Sequence, residues 1–469
     1  MSSLSVFCSR CGATNEPGGE RCHRCGQPVS AQMLLLPAEQ QERPRRGMSR
    51  RTALLTLVGI AALPVSAGVG YLTYQKLTNP HILTYSGQGT TTSDAAWSPD
   101  STLVASSGWL DGGTVQIWNA TTGKILQTCR TDHPGPEMVP LDVIWSADGR
   151  NVLAFVGWDN TVVLTAGSRI VEMVQVWDAT SGQQVRSIPI MEPVAVNAQG
   201  TGTDRPLVRN WALNERYLAA VNAQDQGRLE IWEIATGNKI ATLGVESQHP
   251  ASQAREIAWS PDNEKLAIQW FAQDTTTGQD FQTIEVWNIA KLSKITILNT
   301  TRHSSLTSIN WAPDSRMLVL GLEDGAQRTY EIWDALAGKR LQTLQPSYFE
   351  FPLTIWSPNG KYLALGSEVY SVETGNRITV YTTQGMVTSL AWSPDSTRMA
   401  LVDSVKHGAG FSSTSSTLFL LDALSGRQRA SYAGGGLFGN SGTSGKLVWS
   451  PDGKYVMVVG QNVDIWRGE

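Results

Sequence analysis

From about residue 80 onward, apolar residues come in short runs or alternate with polar ones, and each run stops at a cluster of Ser, Pro, Asp, Asn or Gly. That pattern predicts β-strands joined by turns. One stretch shows a whole unit: 256–259, 265–270, 283–287 and 294–298 read as four successive strands, here called a, b, c and d. Nearer the N-terminus the pattern changes. Residues 53–74 contain no charged side chain, and as a helix they would extend about 33 Å, against a hydrocarbon core about 30 Å thick. They are expected to form one transmembrane helix, in which Pro64, Gly68 and Gly70 are better tolerated than in a soluble core helix.

The four-strand unit recurs. Variants of a phrase, Trp-Ser-Pro-Asp, begin at Trp97, Trp145, Trp211, Trp259, Trp311, Trp356, Trp392 and Trp449, at intervals of 48, 66, 48, 52, 45, 36 and 57 residues. Such periods fit four-stranded propeller blades and are too long for leucine-rich repeats. A second phrase, an aliphatic residue and then Trp, marks strand c at Trp118, Trp177, Trp232, Trp287, Trp333 and Trp466. The c–d turn after it carries Gly123, Gly182, Gly237, Gly338, Gly375 or Gly426, as a hairpin needing φ > 0 would use.

With these phrases, residues 75–469 resemble the WD-repeat propellers: Trp177-Asp178 and Trp333-Asp334 stand where that family has its Trp-Asp dipeptide. The Trp-Ser-Pro-Asp wording is also similar to the bacterial WD-repeat and TolB-like branches. The resemblance implies a mainly all-β, eight-bladed propeller, with seven blades as the alternative if the weak unit around Trp356, which lacks the strand-c Trp, merges with its neighbour. The family's Gly-His dipeptide is degraded, since His133, His249 and His303 sit in the corresponding loops without a preceding Gly. His133 with Asp159 and Trp177, and His303 with Asp324 and Trp333, are read as structural hydrogen-bond networks. The last unit ends at Trp466 with three residues left, too few for a fourth strand. Residues 82–86 resemble strand d and are expected to supply it, which removes the open edges of the ring.

Residues 1–30 contain two Cys-x-x-Cys knuckles, Cys8/Cys11 and Cys22/Cys25, with Gly12 and Gly26 after them. Four thiolates at this spacing suit one structural Zn²⁺, which so short a segment needs in order to fold. The stretch resembles the bacterial zinc-ribbon family; a pair of disulfides is the other reading. Residues 31–52 form a linker that ends in Arg43, Arg45, Arg46, Arg50 and Arg51, whereas only Lys76 follows the span closely. Positive-inside bias then leaves the N-terminus in the cytoplasm and sends the propeller out. Ser49-Arg50-Arg51 also resembles a twin-arginine export signal, and cleavage at Val65-Ser66-Ala67 would instead release the propeller.

Charge and cysteines follow this division. Residues 1–52 hold eight Lys/Arg and four Asp/Glu, while residues 75–469 hold 29 and 37. A propeller with that net negative charge is not expected to bind nucleic acid. Cys129 is the one cysteine beyond the span and reads as a small buried residue in a strand d. The a–b and c–d turns share one face and are short. The long connections, b–c at 159–173, 271–283 and 403–416 and d–a at 191–207, 246–254 and 432–446, share the other.

Loops held by a rigid scaffold concentrate binding. Of the 17 tryptophans, only Trp109, Trp158 and Trp270 lie outside the two phrases, each at the expected end of a strand b beside the long-loop face. They are the candidate ligand-binding residues, with packing beneath the loops as their other role; Tyr348, Phe349, Phe351 and Phe438 are weaker candidates. No Gly-x-Ser-x-Gly elbow, His-Glu-x-x-His pair or phosphate-binding Gly-Lys loop occurs. The sequence thus points to a single-pass bacterial membrane protein whose propeller binds a protein or glycan partner without catalysis. The alternatives are a hydrolase or oxidoreductase site assembled across blades, and a zinc ribbon that binds nucleic acid or a cytoplasmic partner with the propeller as external sensor.

Overall fold

The computed structural model describes residues 80–89, 92–108, 113–131, 138–158, 169–170, 172–190, 194–195, 208–222, 228–244, 253–273, 280–300, 305–325, 327–347, 353–407, 413–434 and 445–468, together with the strand pair Val6–Phe7 and Thr14–Asn15. The chain divides into two units, Met1–Lys76 and Leu77–Glu469. In the first, Val6 pairs with Asn15 and Phe7 with Thr14, an antiparallel ladder whose connection contains Cys8 and Cys11. Cys8, Cys11, Cys22, Cys25 and the span at 53–74 lie outside the described residues. Among those described, no helix is long and apolar enough to cross a membrane.

The second unit is built from eight antiparallel sheets of four strands each. Blades 1 to 7 are residues 92–130, 138–189, 208–243, 253–298, 305–344, 354–380 and 386–434. Blade 8 joins residues 446–467 to the strand His81–Tyr85, which pairs with Val463–Arg467 as the missing strand d. The seven-bladed alternative fails because the weak unit is a blade of its own. Its strand c is Glu368–Ser371, and Tyr370 stands in the place of the Trp.

The apolar core is divided into eight seams, one between each pair of neighbouring blades. Blades 3 and 4, for example, share Tyr217, Leu229, Ile231, Leu266, Ile268 and Trp270. The seam of blades 8 and 1 contains Tyr85, Trp97, Trp118, Val463 and Ile465. Strands a form the inner wall. Their tryptophans stitch it: Trp145 Nε1 donates to Ala96 O of the preceding blade at 3.1 Å, Trp311 to Ala258 O at 2.9 Å and Trp449 to Ala391 O at 2.9 Å. Trp97 donates to Val448 O across the closure at 3.3 Å. A buried indole N–H requires such an acceptor, and its six-carbon ring fills the seam behind it.

Blade 3 departs from the expected phrase. Its strand a is Val208–Leu213, and Leu213 pairs with Leu218 as Trp97 pairs with Val104 in blade 1. The following turn, 214–216, is two residues shorter than 98–102. A two-residue shift preserves the facing of the side chains. Trp211 therefore stays in the seam but sits one pleat away, stacked on Phe155 of blade 2 with ring centroids 4.3 Å apart.

Candidate binding face and inner wall

The plain face is bonded to itself. In blade 1 the Ser98 hydroxyl donates to Asp100 at 2.6 Å and accepts the Leu103 N–H at 2.9 Å, and the same pair of bonds recurs at Ser260, Ser393 and Ser450. The Ser98 hydroxyl is the main reason that the Asp100 carboxyl lies below its ordinary pKa. Neighbouring turns are also linked. The backbone N–H groups of Asp262, Asn359 and Asp452 donate to the hydroxyls of Ser315, Ser396 and Ser101 in the next blade, each at 3.0 Å. Those three serines hold φ of 54°, 62° and 64°, a left-handed conformation costly for a non-glycine residue, and the interblade bond offsets that cost.

The other face is uneven. Strands b and c have nine residues each in blade 4 and ten each in blade 7, against four each in blade 6. At about 3.3 Å per residue, six extra residues raise the blade-7 hairpin about 20 Å above that of blade 6. Much of the expected b–c loops 271–283 and 403–416 is therefore strand, with Phe271 paired to Gln282 and Lys406 to Thr414. A hairpin that projects into solvent has no buried face, so its sequence lacks alternation and reads as loop. In blade 2 the long connections meet, Arg169–Ile170 pairing with Val194–Ala195.

Trp270 is not on a rim. It is 1 % exposed and packed in the seam of blades 3 and 4. Its Nε1 donates to Glu285 Oε2 at 3.0 Å. The strand that carries it continues to Gln273, so Trp270 lies inside the sheet rather than at its end. This is the packing role weighed above, and it removes Trp270 from the binding candidates. Trp109, the Trp158 side chain, Tyr348, Phe349, Phe351 and Phe438 lie outside the described residues.

Glu285 belongs to a series that sequence reasoning missed. Two residues before the strand-c Trp or Tyr stand Glu230, Glu285, Glu331 and Glu368, all buried. Each meets a cation from strand d: Lys239 at 3.0 Å, Lys294 at 2.6 Å, Arg340, and Arg377 at 3.2 Å. The recurring Glu-x-Trp or Glu-x-Tyr was the available signal. Glu285 and Glu331 also accept the indole N–H of Trp287 at 2.9 Å and Trp333 at 3.0 Å. The donor of Trp333 is thus spent on Glu331 and not on the expected His303–Asp324 network, and that of Trp177 goes to Arg130 O at 3.3 Å. His133, His249, His303 and Asp159 are outside the described residues. Blade 1 holds a comparable network with glutamine: Trp118 Nε1 donates to the Ser106 hydroxyl at 3.0 Å, and Gln88 Nε2 donates to the same oxygen at 3.0 Å.

The inner wall holds a charged group across three blades. Asp94 of blade 1 accepts a hydrogen bond from Lys446 Nζ of blade 8 at 2.8 Å and from the Val143 N–H of blade 2 at 3.1 Å. Asp142 of blade 2 shares a hydrogen bond with Asp94, and its carboxyl is pushed up to about 7 by burial, then by that bond and by the Asp94 charge. Among the described residues, no three His, Cys, Asp or Glu side chains are grouped to hold a metal ion.

Comparison with known proteins agrees with this geometry. Residues 79–119 match the WD40 family, described as WD domain, G-beta repeat. The matched segment runs from strand d of blade 8 through strand c of blade 1. It is offset by one strand from a blade, the offset that closes the ring. Among solved structures, the chain is similar to the C-terminal WD40 domain of Sif2, with a TM-score of 0.54 at 13 % identity, over 82 % of this chain and 97 % of that one. Blade count and ring closure make residues 77–469 an eight-bladed, all-β propeller, in which residues 79–119 match the WD40 repeat.

Proposed function

We propose that the protein is a single-pass bacterial membrane protein whose extracytoplasmic propeller is a binding scaffold, taking a protein or glycan partner on the face that carries the b–c hairpins and d–a connections. The observation that supports this reading most is the difference between the two faces. One spends its turn donors and hydroxyls on its own neighbours. The other raises hairpins of unequal height, which gives a partner relief to recognise. WD40 propellers are commonly protein-interaction scaffolds. The membrane anchor rests on the uncharged residues 53–74 and the arginines before them. With photo-crosslinking residues placed at Lys406 or Gln273 and, separately, at Asp100 or Asp452, adducts in intact cells are expected only from the first pair. Adducts from the second pair alone would reverse the choice of face. Terminal tags in protease protection should show the C-terminal tag cut from outside and the N-terminal tag protected.

Cys8, Cys11, Cys22 and Cys25 would hold the structural Zn²⁺ of the N-terminal unit, fixing its fold without taking part in any reaction. The ladder of Val6–Phe7 with Thr14–Asn15 suits this, because it brings together the two ends of the segment that contains Cys8 and Cys11. Elemental analysis of the purified chain is expected to give one zinc per molecule, and none after Cys22→Ser with Cys25→Ser. Full zinc in that double variant would rule out this ligand set.

A further inference from the structure

We propose that Asp94, Asp142 and Lys446 form a proton-operated latch in the inner wall, which holds blades 8, 1 and 2 together while Asp142 keeps its proton and loosens them when it is lost. The three residues come from strands a of three successive blades. They adjoin the seam where the ring is closed by the chain's first propeller strand. Asp94 is the hub. One of its oxygens takes Lys446 Nζ at 2.8 Å, the other takes the Val143 N–H at 3.1 Å, and its own N–H is held by the Ser107 hydroxyl at 3.1 Å.

One cation stands against two carboxyl groups in hydrogen-bond contact. A hydrogen bond between two carboxyl groups needs a proton on one of them, and Asp142 is the member without a cation of its own. With that proton the group is neutral overall and Asp94 is bridged to all three blades. Without it, two negative charges face each other in a half-buried wall, where repulsion is little screened. Among the described side chains of the adjoining strands, no other titratable group offsets this; Arg209, on strand a of blade 3 (Val208–Leu213), has its side chain outside them. Strand b of blade 1, Leu103–Gly108, and strand b of blade 2, Asn151–Trp158, carry none. On the blade-3 side, the described side chains of strand a are Trp211, Ala212 and Leu213. Glu256, three residues before its strand's Trp as Asp94 and Asp142 are, is the next acid around the wall, in blade 4.

The sign follows from where each state holds the proton. An unfolded aspartate ionises near pH 4, whereas folded Asp142 keeps its proton to about 7. The folded state therefore binds the extra proton between those values. Stability is lost as pH rises through that window and stays reduced above it.

The test is thermal unfolding of the full chain in mild detergent from pH 4.5 to 9, with wild type beside Asp142→Asn, which keeps a donor for Asp94 without the charge. The two melting temperatures are expected to be close at pH 4.5, with the variant higher by a few degrees at pH 8. Amide exchange in segment 138–145 should accelerate above pH 7 beyond its intrinsic rate in wild type only. Parallel melting curves and equal exchange would overturn the latch. If Asp142→Asn does not fold, Lys446→Gln decides the matter. Removing the cation that favours ionised Asp142 should move the wild-type fall in stability to higher pH, and an unmoved midpoint would sink the proposal.

Discussion

Deleting residues 81–85 from the full chain is expected to destroy the closed ring and shift the protein, in mild detergent, from the wild-type elution position to larger oligomers or aggregate on size-exclusion chromatography. The strand contributes Tyr85 to the core, stacked on Trp118 at 4.1 Å with its hydroxyl donating to Gln116 at 2.6 Å, and packs Ile82 and Leu83 against the same seam. Burial of side chains of this kind stabilises by roughly 1.5–3 kcal/mol each. Three fully buried side chains would amount to about 4.5–9 kcal/mol; with Ile82 and Leu83 only half-buried the lower half of that range applies, still a large share of the stability of an ordinary domain. The deletion would also uncover the edge of Val463–Arg467, an unpaired row of backbone donors and acceptors. Moving the same five residues, behind a short linker, to a position after Glu469 should restore the wild-type elution position, because the pairing with Val463–Arg467 demands only that the strand reach that edge. A deletion mutant that melts like wild type would show that the ring does not depend on this closure.

The closure could be read beforehand because it is a matter of counting: a terminal unit with three strands and an isolated strand at the other end have one economical solution. The repeat was legible for a similar reason. Trp-Ser-Pro-Asp joins a seam residue to a turn whose hydroxyl and carboxylate satisfy its own backbone, so the phrase carries both packing and turn chemistry. Blade 3 was misaligned by two residues because a period-2 shift leaves the apolar pattern unchanged, and only the shorter turn at 214–216 reveals it. Trp270 was misplaced for a different cause. The b–c hairpin runs on past the ring there, with Phe271 paired to Gln282 and Gln273 to Asp280, so the strand is longer than the core-facing run that marks it in the sequence. The latch at Asp94, Asp142 and Lys446 lay beyond sequence reading altogether. Its residues are up to 352 positions apart and meet only because blade 8 is next to blade 1.

Trp270→Ala is expected to lower the unfolding free energy by about 3–5 kcal/mol, the usual cost of emptying a buried aromatic site, and Trp270→Phe by about 1.5–3 kcal/mol. The two substitutions separate packing from hydrogen bonding. Phenylalanine keeps most of the contact with Tyr217, Leu229 and Leu266 but has no donor for Glu285. Glu285 is a buried carboxylate held by two indoles and by Lys294, so loss of one donor leaves part of its charge unmatched in a place where water does not replace it. Denaturant midpoints at constant slope would measure both effects. The same pair also tests the role first weighed for this residue. A Trp on an open binding rim would lose little stability as Ala and would lose its ligand as Phe, whereas a seam Trp loses stability in both. Each seam is a separate core shared by two blades, and a cavity here has no larger core in which to be absorbed. For that reason the upper half of the range is expected for Ala, with the loss of exchange protection concentrated in blades 3 and 4.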